Sequence, residues 1–346
     1  MSRGLGDVYK RQIWDEVRHR VDDDSANKGQ WILTGSSTPL NENRPNHSGA
    51  GRIGRIRMNP LTLYESGLST GAVSLSGLFE HKFAAAKSEI STQMLLDAVC
   101  RGGWPEAVAL PVSDAQILIR EYMRLTLTES VPRQGKDPDV ARRLLDSLAR
   151  NISQAVTFKT LRKDMYGTEE NLDDFISERT VSGYTAMFEN MFVIDPIKGW
   201  VPPARDPKRL QTKARRYFAD PSIAAAMLGM SPAALIGDWQ TFGFLFENLC
   251  IRDLLVYARS LLDIGIEPVR YYRDDSGLEC DAIIELSDGR WGGIEIKSSE
   301  DKVPEASANL CRLKDKLLRN PSARTREPEF LAVLVGVGEF AYQRDD

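Results

Sequence analysis

The stretch that most restricts the fold is residues 280–297, CDAIIELSDGRWGGIEIK. CDAIIEL and WGGIEIK are apolar runs of strand length, and Ser287-Asp288-Gly289 between them is a turn signal, so the segment predicts a β-hairpin. Side chains alternate along a strand, which puts Glu295 and Lys297 on one face and Ile296 on the other, and the turn brings Asp281 back beside them. Two carboxylates that share a site form the negative, oxygen-rich pocket that Mg²⁺ prefers. A lysine next to them can orient a water or stabilise charge on a phosphorane-like transition state. Upstream, FGFLFENLCIRDLLVYARSLL (242–262) predicts a long helix carrying Glu247, followed by strand-like VRYYR. Downstream, KVPEASANLCRLKDKLL predicts a helix and FLAVLVGV a strand, completing an α/β unit. The candidate catalytic residues are Glu247, Asp281, Glu295 and Lys297, with Asp281 and Glu295 as ligands for Mg²⁺.

With 346 residues the chain is long enough for roughly two or three domains. Its 42% hydrophobic and 27% charged residues are a globular balance. The sequence has no apolar run near the roughly 20 residues that span a bilayer, so no membrane partner is expected. Cys100, Cys250, Cys280 and Cys311 lack metal-ligand spacing, which predicts reduced thiols in a cytoplasm. A net charge of −4 decides nothing about nucleic acid. Local charge says more: RDPKRLQTKARR (205–216) carries six basic residues and one acidic residue. Lys208, Arg209, Lys213, Arg215 and Arg216 are either a phosphate-contacting patch for DNA or a solvated loop. Before it, VARRLLDSLARNI, TFKTLRKDM and SERTVSGYTAMFENMF predict three helices, and MFVIDPI and ARRYFAD a strand pair around the basic loop. Three helices and a ribbon are the order of a winged helix-turn-helix, with a plain helical bundle as the alternative.

The spacing D-x13-E-x-K, with Glu247 on the preceding helix, resembles the signature of the restriction-endonuclease-like PD-(D/E)XK fold. This chain departs from it by having Glu279-Cys280 where that motif has a proline before the aspartate. The residues leave two readings open: a Mg²⁺-dependent nuclease, or a non-catalytic protein- or DNA-interaction module that uses the nuclease fold as a scaffold.

A wider resemblance covers about residues 13 to 346. It rests on ILTGSS, HSGAGRIGRIRMNPLTLYESG, RGGWPEA, RRYFADPSIAAAMLG, GFLFENLCIRDLLVYA, YYRDDSGLECDAIIEL and GRWGGIEIKSS. Together they resemble the prokaryotic AAA-type ATP-binding proteins that carry a C-terminal domain of unknown function. In that group a winged-helix segment precedes a restriction-endonuclease-like fold. The resemblance implies a linker-like, non-native start over 1–12, the end of a P-loop ATPase core over 13–75, and a helical lid-like segment over 76–135. It further implies a winged-helix-like segment over 136–237 and a restriction-endonuclease-like domain over 238–346. It reads QWILTGSST (30–38) as a buried strand, Trp31-Ile32-Leu33, that ends in a polar sensor elbow. Thr34, Ser36 and Ser37 would be the sensors, and Arg52 or Arg55 the γ-phosphate arginine. The glycine-rich loop with its lysine, G-x-x-x-x-G-K-[ST], does not occur in this sequence. ATP is the family's cofactor, but this chain is therefore expected neither to bind nor to hydrolyse it. DNA and a homo-oligomer of the full-length form are the implied partners.

Overall fold

The computed structural model describes residues 16–24, 26–27, 29–35, 54, 56–167, 176–202 and 212–344. The chain divides into two compact units, residues 1–58 with 190–192, and residues 59–189 with 193–346. In the first unit residues 16–23 are helical, with Arg20 paired to Glu16 one turn away at 2.8 Å and lying over the Trp31 ring. The expected strand at 31–33 does not form. Residues 30–35 have no regular structure and all are exposed, Ile32 at 94%. A strand's N–H and C=O groups need a partner, and among the described residues no strand pairs with this stretch.

The second unit begins with α1 (Leu75–Phe79), β1 (Ala86–Lys87), α2 (Thr92–Arg101) and α3 (Val112–Leu125). A π-helical turn, Thr126–Ser130, leads from α3 into the short α4 (Val131–Arg133). Then come α5 (Pro138–Arg150), α6 (Phe158–Tyr166) and α7 (Glu178–Asn190), the three helices that the periodicity predicts. Strands β2 (Ile194–Ile197) and β3 (Arg215–Phe218) pair antiparallel, as the ribbon reading expects. Two short helices, α8 (Pro221–Met227) and α9 (Pro232–Gly237), start alike. Asp220 or Ser231 caps a free N–H, and proline fills the first helical position, where no N–H is needed.

The long α10 runs Trp239–Arg259, three residues earlier at both ends than the sequence periodicity suggests. The shift at its start comes from Asp238, whose carboxylate accepts from the Thr241 N–H and sets the N-terminus. Strands β4 (Arg270–Arg273), β5 (Glu279–Glu285), β6 (Trp291–Lys297) and β7 (Phe330–Val335) form one sheet in that order. The first two pairings are antiparallel and the β6–β7 pairing is parallel, with α11 (Val303–Arg319) crossing between those strands. The short β8 (Phe340–Ala341) returns to pair with β1. This is a mixed α/β architecture.

Helix α11 covers β5, β6 and β7, while α10 packs against β3 and β6. The core under α11 joins Trp200, Tyr272, Cys280, Ile283, Trp291, Leu310, Leu313 and Leu317. No helix of the described residues is long and apolar enough to cross a membrane. All four cysteines are free thiols.

Candidate functional site

The β5–β6 ladder runs from the Glu285–Trp291 pair to the Ala282–Ile294 pair. The next residues along each strand are Asp281 and Glu295. Asp281 Oδ2 accepts the Ile296 N–H at 2.9 Å, so its side chain supplies the acceptor that the partner strand would otherwise provide. Lys297 Nζ reaches Glu295 Oε2 at 2.5 Å and Asp281 Oδ2 at 3.7 Å. The predicted alternation therefore does place Glu295 and Lys297 on one face. Glu247 comes in from the middle of α10 and accepts a hydrogen bond from the Tyr217 hydroxyl at 2.6 Å. All four predicted site residues thus converge.

The structure adds a member the sequence reading put elsewhere. The sequence puts Arg215 in a basic run that is either a phosphate-contacting patch for DNA or a solvated loop. Instead its side chain is 5% exposed, with Nη1 3.2 Å from Asp281 Oδ1 and 3.5 Å from Glu247 Oε1. Its Nη2 pairs with Glu279, and its guanidinium lies 4.7 Å above the Tyr271 ring. Arg216 is also drawn inward, 3.9 Å from Glu189 and over the Phe158 ring. A strand explains this better than a charge run does. On β3, Arg215 and Tyr217 share a face, so the side of the strand that buries tyrosine buries arginine too. Of the other basic candidates, Lys213 is exposed, and Lys208 and Arg209 fall outside the described residues. So do Ser36, Ser37, Arg52 and Arg55, whereas Thr34 is exposed.

Electrostatics follow from burial. Desolvation, then the nearby Asp281 charge, pushes the Glu247 carboxyl up to about 8. The same two causes in the same order push Glu295 up to about 7. Burial works against the Lys297 charge, but Asp281 and Glu295 outweigh it and raise its pKa. Burial likewise disfavours the Arg215 charge, and Tyr217, Glu247, Asp281 and Glu279 outweigh it. The site is thus a set of acidic side chains held between two cations, Arg215 and Lys297.

That arrangement does not fit Mg²⁺, which demands about six oxygens in octahedral array at about 2.1 Å. Both Asp281 oxygens are engaged, by Arg215 on one side and by Ile296 N–H and Lys297 on the other. Glu295 Oε2 and Glu247 Oε1 are engaged as well. Among the described residues, no three His, Cys, Asp or Glu side chains are grouped to hold a metal.

The raised carboxyls have a consequence for stability. A group whose folded pKa is raised contributes stability fully below its ordinary value, and loses it as pH rises through the folded value. For Glu247 that window runs from 4.5 to about 8. Resistance to urea should therefore fall across this range, and Glu247→Gln, which stays neutral and can still accept from Tyr217, should flatten the fall. Parallel pH profiles for the two proteins would assign the titration to another group.

A second buried cluster, which the sequence reading did not single out, lies nearby on α10. Arg252 Nη1 binds Asp220 Oδ2 at 2.7 Å, and its Nη2 binds Asp253 Oδ1 at 2.7 Å. Asp220 also accepts the N–H groups of Gly103 and Ser222, and Asp253 accepts the Leu63 N–H. NPLTLYESG, RGGWPEA, FADPS and CIRDLL therefore meet at one node.

Comparison with known families adds two matches. Residues 92–234 match the family described as Domain of unknown function (DUF8612), and residues 242–346 match Domain of unknown function (DUF4143). The first match ends within α9 and the second begins in the first turn of α10. No curated protein and no solved structure matches the chain.

Proposed function

We propose that residues 238–346 are a restriction-endonuclease-like domain that works as a non-cleaving interaction module, with the acid–acid–lysine cluster serving as an internal joint. In this reading the preceding helices and ribbon form a winged-helix-like segment. Support for the fold assignment comes from the order helix, three antiparallel strands, helix and parallel strand, with Asp281, Glu295 and Lys297 at the point where β5 and β6 cease to pair. The observation that carries the functional reading is Arg215, whose guanidinium lies among the carboxylates that a nuclease would need for its metal. Protein is the favoured partner class, because Arg215 and Arg216 are already committed to carboxylates within the chain.

The test is a cleavage assay on plasmid and single-stranded DNA with Mg²⁺ and with Mn²⁺. No cleavage above the level of Asp281→Ala and Lys297→Ala is expected. Cleavage that both substitutions abolish would overturn the reading. Duplex binding measured from low to high salt tests the partner class. A DNA-binding module would show affinity falling steeply as counterions compete, and such a slope, flattened by replacing Lys208 and Arg209, would return DNA as the partner.

A further inference from the structure

Glu247, Asp281 and Glu295 come together from a helix and two strands, and a fourth element, β3, sends a cation into the middle of them. Arg215 Nη1 stands between Asp281 Oδ1 and Glu247 Oε1, at 3.2 and 3.5 Å. Lys297 Nζ holds Glu295 and the other Asp281 oxygen. The Arg215 Nε is buried and makes no hydrogen bond, so the guanidinium is held through its two Nη groups. Further anchors lie outside the carboxylate triad: Glu279 on Nη2, itself paired with Arg273 at 3.0 Å, and the Tyr271 ring.

We infer that Arg215 stands in the place of a divalent cation, so that the acidic cluster is closed to metal ions and instead fastens the β2–β3 ribbon to the β4–β7 sheet. Two unit charges, Arg215 and Lys297, deliver the charge of one divalent ion without needing an octahedron of oxygens. A guanidinium presents its donors in a planar fork, which suits two carboxylates approaching from different elements. A metal entering between Asp281 and Glu247 would meet a buried positive charge at close range and would have to expel it. The inference rests on the preceding reading that the site does not cleave, and it makes a prediction of its own: removing the guanidinium should turn the cluster into a metal site.

Mn²⁺ is the probe, followed by the loss of its free electron paramagnetic resonance signal as the full chain is titrated. The wild-type chain should show no site that depends on Asp281. Arg215→Gln should bind one Mn²⁺ with affinity at least about tenfold higher than wild type, and adding Asp281→Asn to that variant should abolish it. Arg215→Ala should behave alike, with a melting temperature that is lowered without metal and recovers with Mn²⁺. The Gln variant keeps much of the side chain's stem and a donor, so it serves if the Ala variant does not fold. A wild-type Mn²⁺ site that Asp281→Asn removes would overturn the inference, and so would folded Arg215 variants that bind no more Mn²⁺ than wild type. Metal bound by the wild type without DNA cleavage would sink the inference alone. Cleavage that depends on Asp281 and Lys297 would sink the non-cleaving reading.

Discussion

Arg252→Ala is expected to lower the unfolding free energy by about 3–5 kcal/mol, the loss typical when one partner of a buried ion pair is removed and the other is left charged. The side chain is 4% exposed and bridges Asp220, which is fully buried, and Asp253. Those carboxylates also organise backbone. Asp220 caps α8 and takes the Gly103 N–H, and Asp253 takes the Leu63 N–H. Without Arg252 both acids must either stay ionised in the interior or protonate and weaken those bonds. Arg252→Lys retains the charge but cannot span both acids with one planar fork, so it should fall between wild type and Ala. Urea midpoints of the three proteins make the comparison. An Arg252→Ala loss below about 1 kcal/mol would mean that the node is solvated and that its carboxylates relax freely.

The contrast between the two buried arginines explains what was legible in the sequence. Glu295, Lys297 and Asp281 could be placed because strand alternation and one turn fix their relation locally, within 17 residues. Glu247 could be placed because its helix has to cover that sheet. Arg215 was misread because its neighbours Lys208, Arg209 and Lys213 make a charge run, and a run suggests solvent. The competing signal was its spacing of two from Tyr217 on a strand. Arg252 was invisible for a different reason. Its partner Asp220 is 32 residues distant, and Asp253 beside it, which takes the Leu63 N–H from 190 residues away, looks like an ordinary surface pair. The strand expected at Trp31-Ile32-Leu33 shows the reverse error, since an apolar run ending in a polar elbow satisfies a local pattern while a strand still needs a partner to pair with.

Gly103→Ala should be nearly as damaging as loss of Arg252, although it adds only one methyl group. The turn RGGWPEA brings its backbone against the chain at Leu61, with the Leu61 N–H donating to the Gly103 carbonyl at 2.6 Å. A Cβ at residue 103 would sit 2.0 Å from the Leu61 carbonyl oxygen and 3.0 Å from Arg252 Nη1. The first of these is backbone, which no rotamer change can clear, so the Leu61 strand of chain has to move away. That movement stretches the Leu61 bond and the one from the Gly103 N–H to Asp220 together. Overpacking at such a contact costs about 1–3 kcal/mol, and each buried donor left unpaired adds about 1–3 more. A loss of about 3 kcal/mol or more in urea is therefore expected. Gly237→Ala is the comparator. It sits in α9 with open space where its Cβ would lie, and should change stability by less than about 1 kcal/mol. If Gly103→Ala matched that comparator, the close approach of the 59–67 segment to the RGGWPEA turn would not exist in solution, and the node at Arg252 would lose one of its four walls.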